Sequence, residues 1–150
     1  MRAYKVYAIK DGTVIDHIPS GKGLEVINLL GIANDQDTVT LGMHFNSKRN
    51  KKKDVVKVEK RELTPEEVNR LAIVAPTATI NIIRDFKVAK KIPIRIPNEI
   101  NGIIKCGNPN CVTNHDPIVV TKFQLASEKP IKLYCFFCER TFDLDEITLS

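Results

Sequence analysis

The sequence predicts an α+β fold in two parts, and three observations support this prediction. Segments with strand and helix patterns follow one another through the first two thirds of the 150-residue chain. The segment 90–98 then carries two prolines, which interrupt helices and central strands alike, so we predict a linker there. All four cysteines lie beyond it. We therefore predict an N-terminal antiparallel sheet with two helices, and a small C-terminal all-β domain that needs a staple because about 50 residues bury little core.

The first 18 residues predict a β-hairpin. β-Branched and aromatic residues make 4–9 strand-like, and the pair Asp11-Gly12 is a turn signal. Residues 14–18 follow directly with the same composition. Two such segments joined by a short turn are typical of antiparallel partners, so we expect these two strands to pair.

A helix and a half-buried strand come next. Ser20 is placed to cap the helix, and Gly31 to end it in the left-handed conformation. The apolar face of this helix is predicted to comprise Leu24, Ile27, Leu29 and Leu30. Residues 38–45 then alternate between apolar and polar side chains, which predicts a strand with one buried face.

The next segment predicts a basic loop, a strand and a second helix. Residues 46–53 are rich in lysine, and 55–59 have strand composition. Thr64 and Glu67 form a capping-box pattern around a proline at the first helical position. A strand over 79–83, continuing through 86–88, completes the domain. This order of elements predicts a ferredoxin-like split βαβ arrangement with an added hairpin.

Charge is distributed unevenly between the two parts. Residues 1–97 hold 18 basic against 11 acidic side chains, a net charge of +7, whereas 98–150 carry −2. A basic N-terminal part favours an anionic partner such as a nucleotide or a nucleic acid, although a solvated lysine-rich surface is an equally common explanation. The sequence has neither the apolar run of a membrane span nor the apolar core of a signal peptide, so we expect a cytoplasmic protein.

The cysteine spacing predicts a structural zinc site. Strands are predicted over 103–105, 118–125 and 131–135. The cysteine pattern is Cys106-x4-Cys111-x23-Cys135-x2-Cys138, two close pairs that each adjoin a predicted strand. Four thiolates fill the tetrahedral coordination of one Zn²⁺ and leave no open position for a catalytic water. Two disulfides, a redox role for the last pair, and His115 as a replacement ligand are the alternatives. No nucleophile elbow, HExxH motif or Walker A loop is present.

Several segments, in order along the chain, resemble the regulatory chain of aspartate carbamoyltransferase. They are residues 12–19, 53–59, 71–81 and 108–111, together with the cysteine spacing. The resemblance implies a non-catalytic subunit that controls pyrimidine biosynthesis. Its domain 1–97 would bind CTP or UTP as inhibitors and ATP as an activator. Its zinc domain, 98–150, would contact the catalytic chain, and two regulatory chains would pair with each other.

The resemblance also implies roles for individual residues. Asp16 and His17 match a nucleotide-contacting pair, and Lys57 and Lys91 match lysines that contact base, ribose or phosphate. The remaining positions that match the nucleotide pocket are Ala8, Ile9, Val14, Asn81, Ile83, Phe86 and Val88. The positions that match the surface facing the catalytic chain are Asn108, Asn110, Glu139 and Arg140.

Two other classes of function compete with this interpretation. A zinc-ribbon nucleic-acid-binding protein is suggested by the sequence pI of about 9.0 and the lysine-rich loop. The cysteine domain is not basic, however, so we expect neither a nucleic-acid partner nor membrane binding. A zinc or thiol enzyme is disfavoured because four thiolates close the metal site and no redox fold surrounds the last cysteine pair.

Overall fold

The structure is a computed structural model that describes residues 8–34, 36–48 and 51–149. The chain divides into two compact units, Met1–Arg95 and Ile96–Ser150. The division falls inside the proline-containing segment 90–98. Each unit has its own sheet and its own buried core.

The N-terminal unit is a five-stranded antiparallel sheet with two helices. Its strands are β1 (Gly12–Pro19), β2 (Val39–Ser47), β3 (Lys51–Glu59), β4 (Thr79–Arg84) and β5 (Lys87–Pro93). Its helices are α1 (Gly23–Leu30), which connects β1 to β2, and α2 (Pro65–Val74), which connects β3 to β4. The strand order is β2-β3-β1-β4-β5. The first four strands and both helices form the predicted ferredoxin-like arrangement, and the α+β fold class is confirmed.

The two helices differ in how their ends are capped. α2 begins with the predicted capping box, in which Thr64 accepts from the Glu67 N–H and Glu67 accepts from the Thr64 N–H. α1 ends at Gly31 with φ 65°, as predicted. The prediction that Ser20 caps α1 is wrong, because the hydroxyl of Ser20 instead lies 2.6 Å from Nδ1 of His44. Leu24 is also outside the apolar face, since it is 56% exposed.

The two faces of the sheet differ in burial and composition. Ile15 lies opposite Val56 on β3 and Ile80 on β4, and none of these three side chains is exposed. The helices cover this face. Leu41 of β2 lies opposite Val56 and so belongs to the same row, and its side chain packs so closely against Gly23 of α1 that a Cβ added there would lie only 2.6 Å away. The alternate residues of each strand project to the opposite face, which we call the open face.

Hairpins in this unit differ from those predicted. The predicted strand 4–9 falls mostly outside the described residues, and Ala8 and Ile9 are not in a strand. Both edges of β1 between Gly12 and Ile15 are occupied by β3 and β4, so β1 does not have the predicted partner there. The segment 46–53 is a loop only in part, because β2 extends to Ser47 and β3 starts at Lys51.

The added hairpin is formed by β4 and β5. Asp85 and Phe86 form its two-residue turn with φ of 52° and 62°, the left-handed pair that a tight hairpin requires. The predicted continuation through 86–88 is therefore a reversal of the chain. The predicted linker 90–98 is wrong over 90–93, which belong to β5. Pro93 is tolerated there because it is the last residue of an edge strand.

The C-terminal unit is all-β apart from short 3₁₀ turns. Its strands are β6 (Glu99–Asn101), β7 (Ile104–Lys105), β8 (Lys122–Glu128), β9 (Ile131–Cys135), β10 (Thr141–Asp143) and β11 (Thr148–Leu149). They form a sheet of order β10-β9-β8-β6 and a separate pair β11-β7. Phe123 and Leu133 are fully buried at its centre. The strand predicted from Ile118 begins only at Lys122, and Ile118 is 86% exposed.

None of the helices in the described part of the chain has the length and apolar character needed to cross a bilayer.

Candidate functional site

The four cysteines converge in the C-terminal unit. Their sulfur atoms all lie within 4.8 Å of one another, although the two pairs are separated by 23 residues of sequence. Cys106 follows β7 and Cys135 ends β9, so two strand ends bring the two pairs together. Cys106, Cys111 and Cys135 are buried, and Cys138 is partly exposed.

The distances between sulfur atoms match a tetrahedral metal centre. Sγ of Cys106 lies 3.7 Å from Sγ of Cys138, and Sγ of Cys111 lies 3.8 Å from Sγ of Cys135. A disulfide would require about 2.05 Å. Four sulfurs at about 2.3 Å from a central ion lie about 3.8 Å from one another, which agrees with the distances in these two pairs. The thiols are free, so the predicted alternative of two disulfides does not describe this site.

The turn that carries Cys106 and Cys111 is shaped by small and amide side chains. A Cβ at Gly107 would lie 2.4 Å from the carbonyl oxygen of Glu146, so only glycine fits there. The Asn114 side chain donates to the carbonyl oxygens of Cys106 and Asn108 at 3.0 and 2.7 Å. These contacts hold the turn in the shape that presents both sulfurs to the same point.

Hydrogen bonds to sulfur prepare the site for a cation. The backbone N–H of Asn108 donates to Sγ of Cys106, and the hydroxyl of Thr113 donates to Sγ of Cys111. Burial raises the pKa of Cys106 and of Cys135. Burial also acts to raise the pKa of Cys138, but hydrogen bonds from the Arg140 N–H and the Asn108 side chain outweigh it and lower this pKa to about 7. A bound cation would compensate the desolvation of the buried thiolates.

A second candidate site lies on the open face of the N-terminal sheet. Val14 of β1 lies opposite Lys57 on β3 and Asn81 on β4, and Asn81 lies opposite Lys91 on β5. Four of the residues assigned to the nucleotide pocket therefore form one row across four strands. Since residues directly opposite each other share a face, all four project from the side of the sheet away from the helices.

Asp16 and His17 form a β-bulge beside this row. The register between β1 and β3 shifts between Ile15 and Ile18, and His17 has φ 57°. The His17 N–H donates to Oδ1 of Asp16 at 2.6 Å, and Nδ1 of His17 lies 3.1 Å from the hydroxyl of Thr79. Bulges re-aim side chains at functional sites, and this one directs a carboxylate and an imidazole toward the same part of the sheet.

The bulge carboxylate interacts with two lysines of β3. Nζ of Lys53 lies 2.8 Å from Oδ1 of Asp16, and Asp16 also interacts electrostatically with Lys57. Burial acts to raise the pKa of Asp16, but hydrogen bonds from Lys53 and the His17 N–H outweigh it, and the pKa is lowered. Burial lowers the pKa of Lys57, and the charge of Asp16 partly offsets this. The cluster is therefore cationic and partly desolvated.

The other end of the open face is apolar. Ile83 is opposite Gly12 on β1 and Val88 on β5. Phe86 and Val88 are 63% and 58% exposed, an unusual degree for large apolar side chains. Ile9 is buried next to Gly12, and Ala8 is exposed. Phe86 also has positive φ, a strained conformation for an aromatic residue.

Comparison with known proteins identifies the family of both units. The family described as aspartate carbamoyltransferase regulatory chain, allosteric domain, matches residues 4–95, and its metal binding domain matches 98–148. An aspartate carbamoyltransferase regulatory chain from Pyrococcus horikoshii is 53% identical over 98% of this chain and 97% of its own length. The chain belongs to this family. Regulatory chains from Pyrococcus abyssi and Methanothermobacter thermautotrophicus are 54% and 47% identical, covering 97% and 92% of their own lengths and 98% and 95% of this chain.

The family assignment confirms several predictions from the sequence. The chain is a regulatory chain of aspartate carbamoyltransferase, with an allosteric domain and a metal-binding domain, in the pyrimidine pathway. Its relatives are named regulatory rather than catalytic chains, which confirms that it is not the enzyme itself. The metal-binding description agrees with the four clustered cysteines.

The structure places the residues assigned to the partner surface unevenly. Asn110, Glu139 and Arg140 are exposed near the cysteine cluster. Asn108 is only 7% exposed, and its side chain accepts from the N–H of Asn110. Asn108 therefore has a structural role in the turn, whatever else it contacts.

Sequence reasoning missed Lys53 and Asn114. Lys53 was assigned to a basic loop, although the alternation of 53 with 57 along an extended β3 would have placed both on one face. Asn114 is the last residue of the short 3₁₀ turn that follows Cys111 and belongs to no motif, so no signal in the sequence indicated it. His115 does not join the cysteine cluster, since its Nε2 lies 2.7 Å from the carbonyl oxygen of Pro109.

Proposed function

We propose that this regulatory chain binds CTP and UTP as inhibitors and ATP as an activator on the open face of the N-terminal sheet, and transmits their effect to the catalytic chain. The row Lys57, Val14, Asn81 and Lys91 carries the proposal. It combines two cations, an amide and an apolar side chain on one surface. These are the groups needed to bind phosphate, to hydrogen-bond a ribose or base, and to pack against a base.

The polarity of the open face supports one orientation for the nucleotide. Its apolar end, with Ile83, Phe86 and Val88, suits the flat surface of a base. Its cationic end, with Lys53 and Lys57, suits phosphates. In this arrangement Asp16 and His17 lie at the same end of β1 as the phosphates, where the imidazole would add a donor when protonated.

We infer that the metal is zinc, one ion per chain, held by Cys106, Cys111, Cys135 and Cys138. Four thiolates in tetrahedral arrangement are a common ligand set for structural Zn²⁺. Zinc bound there would cross-link the turn after β7 to the end of β9, and the chain's own hydrogen bonds to sulfur would keep the thiolates in place. The site would be structural because its coordination is complete.

The C-terminal unit is proposed to contact the catalytic chain. Asn110, Glu139 and Arg140 offer exposed polar groups beside the metal centre. Phe136 and Phe137, 57% and 43% exposed, add apolar surface next to them. A surface with aromatic side chains and a polar rim is typical of protein interfaces. Pairing of two regulatory chains with each other remains part of the same proposal.

Regulation requires that the effectors distinguish two states of the assembly. Inhibitor and activator would share the open face but make different contacts there, and only such a difference in binding free energy can shift an equilibrium. Coupling free energies are typically about 1–3 kcal/mol. This magnitude is within what one or two charged hydrogen bonds can supply.

The proposed nucleotide site can be tested by replacing two lysines of the open face, one on β5 and one on β3. Lys91→Ala is expected to weaken CTP and ATP binding by about 10- to 100-fold, since a charged hydrogen bond contributes about 1.5–3 kcal/mol. Lys57→Ala should have an effect of the same order. Isothermal titration calorimetry of the metal-loaded chain would measure both.

Lys90→Ala is the matched control for this test. Lys90 is exposed and adjoins Lys91, but it lies opposite Ile82, so it projects to the face that the helices cover. Its replacement should change nucleotide affinity less than about 2-fold, the small residual effect of one screened charge. The open face would be excluded as the nucleotide site by either of two results. One is an equal loss of nucleotide affinity in Lys90→Ala and Lys91→Ala, and the other is an unchanged affinity in both Lys91→Ala and Lys57→Ala.

A further inference from the structure

A chemically labile pair of residues lies at the end of β6. Asn101 is the last residue of this strand and Gly102 follows it, the one place in the sequence where glycine follows asparagine. Asparagine is a thermolabile residue, and a following glycine has no Cβ to shield its backbone nitrogen from the asparagine side chain. Both residues are exposed to solvent. The pair is therefore the position in this sequence at which deamidation is chemically easiest.

Deamidation at this pair needs only water. The backbone nitrogen of Gly102 bonds to Cγ of Asn101 and gives up its proton, and the side-chain amide group leaves with that proton as ammonia. The product is a five-membered succinimide ring. Water then opens the ring at Cγ to give aspartate, or at the main-chain carbonyl carbon to give isoaspartate. One water replaces one ammonia, so no oxidant or reductant is required.

The folded C-terminal unit opposes the first step of this reaction in two ways. The Gly102 N–H donates to the carbonyl oxygen of Thr121 at 2.8 Å, so the attacking nitrogen is held in a hydrogen bond. Asn101 lies opposite Lys122 on β8, and the succinimide ring is incompatible with the extended backbone of a paired strand. The labile pair is therefore protected by the pairing of β6 with β8, although solvent reaches it.

The turn after β6 requires the glycine. Gly102 has φ 75°, in the left-handed region that glycine adopts without strain. A Cβ at this position would also lie 3.2 Å from Cγ1 of Val120. The fold therefore keeps a glycine next to Asn101, and protection comes from strand pairing rather than from a larger neighbour.

The protecting strand is connected to the metal site by one cross-strand row. Ile100, the central residue of the three-residue strand β6, lies opposite Phe123 on β8, and Phe123 lies opposite Cys135 on β9. All three side chains are buried, with exposed fractions of 2%, 0% and 0%. A strand as short as β6 depends on this row for its place in the sheet, so a change at Cys135 is transmitted to β6 through a single side chain.

We propose that Asn101 and Gly102 form a deamidation site that becomes reactive when the chain loses its metal, and that isoaspartate formed there prevents the C-terminal unit from refolding. This inference rests on the proposed structural role of the metal. Isoaspartate adds a methylene group to the backbone of β6. It also adds a carboxylate near Glu99, whose Oε1 lies 3.4 Å from the side-chain nitrogen of Asn101. Both changes oppose the pairing of β6 with β8.

The experiment follows deamidation in three samples of the full-length chain: zinc-loaded, chelated, and unfolded in urea. Peptide mapping by mass spectrometry measures the replacement of ammonia by water at Asn101 over time, at a temperature at which the zinc-loaded chain stays folded. We expect the chelated and urea samples to react at least about 10-fold faster than the zinc-loaded sample, because a protected group reacts only in its open fraction. Asn98, which is exposed in the same segment but precedes glutamate, is the internal reference and should react slowly in all three.

Two variants test the consequence for refolding. Asn101→Gln keeps an amide but closes the larger ring slowly, and Asn101→Ser has no amide to lose. After prolonged incubation without metal, added zinc should restore the melting transition of the C-terminal unit in both variants but not in the deamidated wild-type chain. Asn98→Gln is the matched control and should lose this transition as the wild-type chain does.

Three results would overturn the inference. The first is equal deamidation of Asn101 in the zinc-loaded and urea samples, and the second is equal recovery of the wild-type chain and Asn101→Gln. The third is a chelated C-terminal unit that melts out while Asn101 stays unmodified. If calorimetry instead shows that the chelated unit stays folded, the structural role of the metal fails first and the inference fails with it.

Discussion

Removing the metal is expected to unfold the C-terminal unit and to leave the N-terminal unit folded. A structural zinc site contributes apparent folding free energies of about 10–16 kcal/mol, far more than a core of this size supplies. Without the ion, nothing joins the two cysteine pairs, and burial disfavours the thiolate forms of Cys106 and Cys135 by raising the pKa of each. Cys135→Ser should have the same effect, because Cys135 is fully buried at the end of β9. Calorimetric melting with and without a chelator would measure the change.

The N-terminal unit provides the internal control for this experiment. It contains no cysteine, so its melting transition should be the same in the chelated, Cys135→Ser and untreated proteins. Metal content, measured by mass spectrometry, should fall from one zinc per chain to none in Cys135→Ser. A C-terminal unit that melts at the same temperature with and without metal would show that the cysteine cluster is not a staple.

Asp54→Ala is expected to cause the largest loss of stability in the N-terminal unit. Asp54 is 0% exposed, and its carboxylate accepts from the N–H groups of Gly21, Gly23 and His44 at 2.9, 2.9 and 3.0 Å. It therefore joins β3 to the start of α1 and to the irregular part of β2. Its removal leaves three donors unpaired and a cavity, at a cost of about 3–5 kcal/mol. For a unit of this size that corresponds to a decrease in melting temperature of roughly 15–30 °C.

Two further substitutions serve as references for the loss of stability expected in Asp54→Ala. Asp37→Ala removes an exposed carboxylate that has no hydrogen-bond partner within the described part of the chain, and it should cost less than about 0.5 kcal/mol. Asp54→Asn retains the shape and one acceptor oxygen, so its cost should be intermediate. Chemical denaturation of all three would rank them. A loss below 1 kcal/mol for Asp54→Ala would contradict the role given to its three hydrogen bonds.

The sequence predicted the elements whose signals are local. The capping box at Thr64, the helix end at Gly31 and the cysteine spacing each depend on a few adjacent residues, and all three are found. Strand pairing depends on the whole sheet. The prediction that 14–18 pairs with 4–9 followed the rule that neighbours in sequence pair, but β1 is the central strand and pairs with β3 and β4. The turn at Asp85 and Phe86 was missed because both of its residues need positive φ, and Phe86, unlike Asp85, is not a residue type that usually adopts it.

The two candidate sites were also predictable to different degrees, because the metal site has a local sequence signal and the nucleotide site depends on the pairing of the whole sheet. Metal ligands are visible because cysteine is rare and its spacing is constrained. The lysines of the open face are not visible singly, since lysine is common on every surface. Their common face follows only from the register, which places Lys57 and Lys91 in one row with Val14 and Asn81.

The central claim is that this regulatory chain joins the catalytic chain through its metal-bound unit. The most direct measurement mixes the zinc-loaded chain with catalytic trimers of aspartate carbamoyltransferase from the same organism and determines the mass by size-exclusion chromatography with light scattering. We expect a complex larger than the trimer that forms with zinc and is absent for chelated protein. Trimers that elute unchanged, although the chain is folded and zinc-loaded, would contradict the claim.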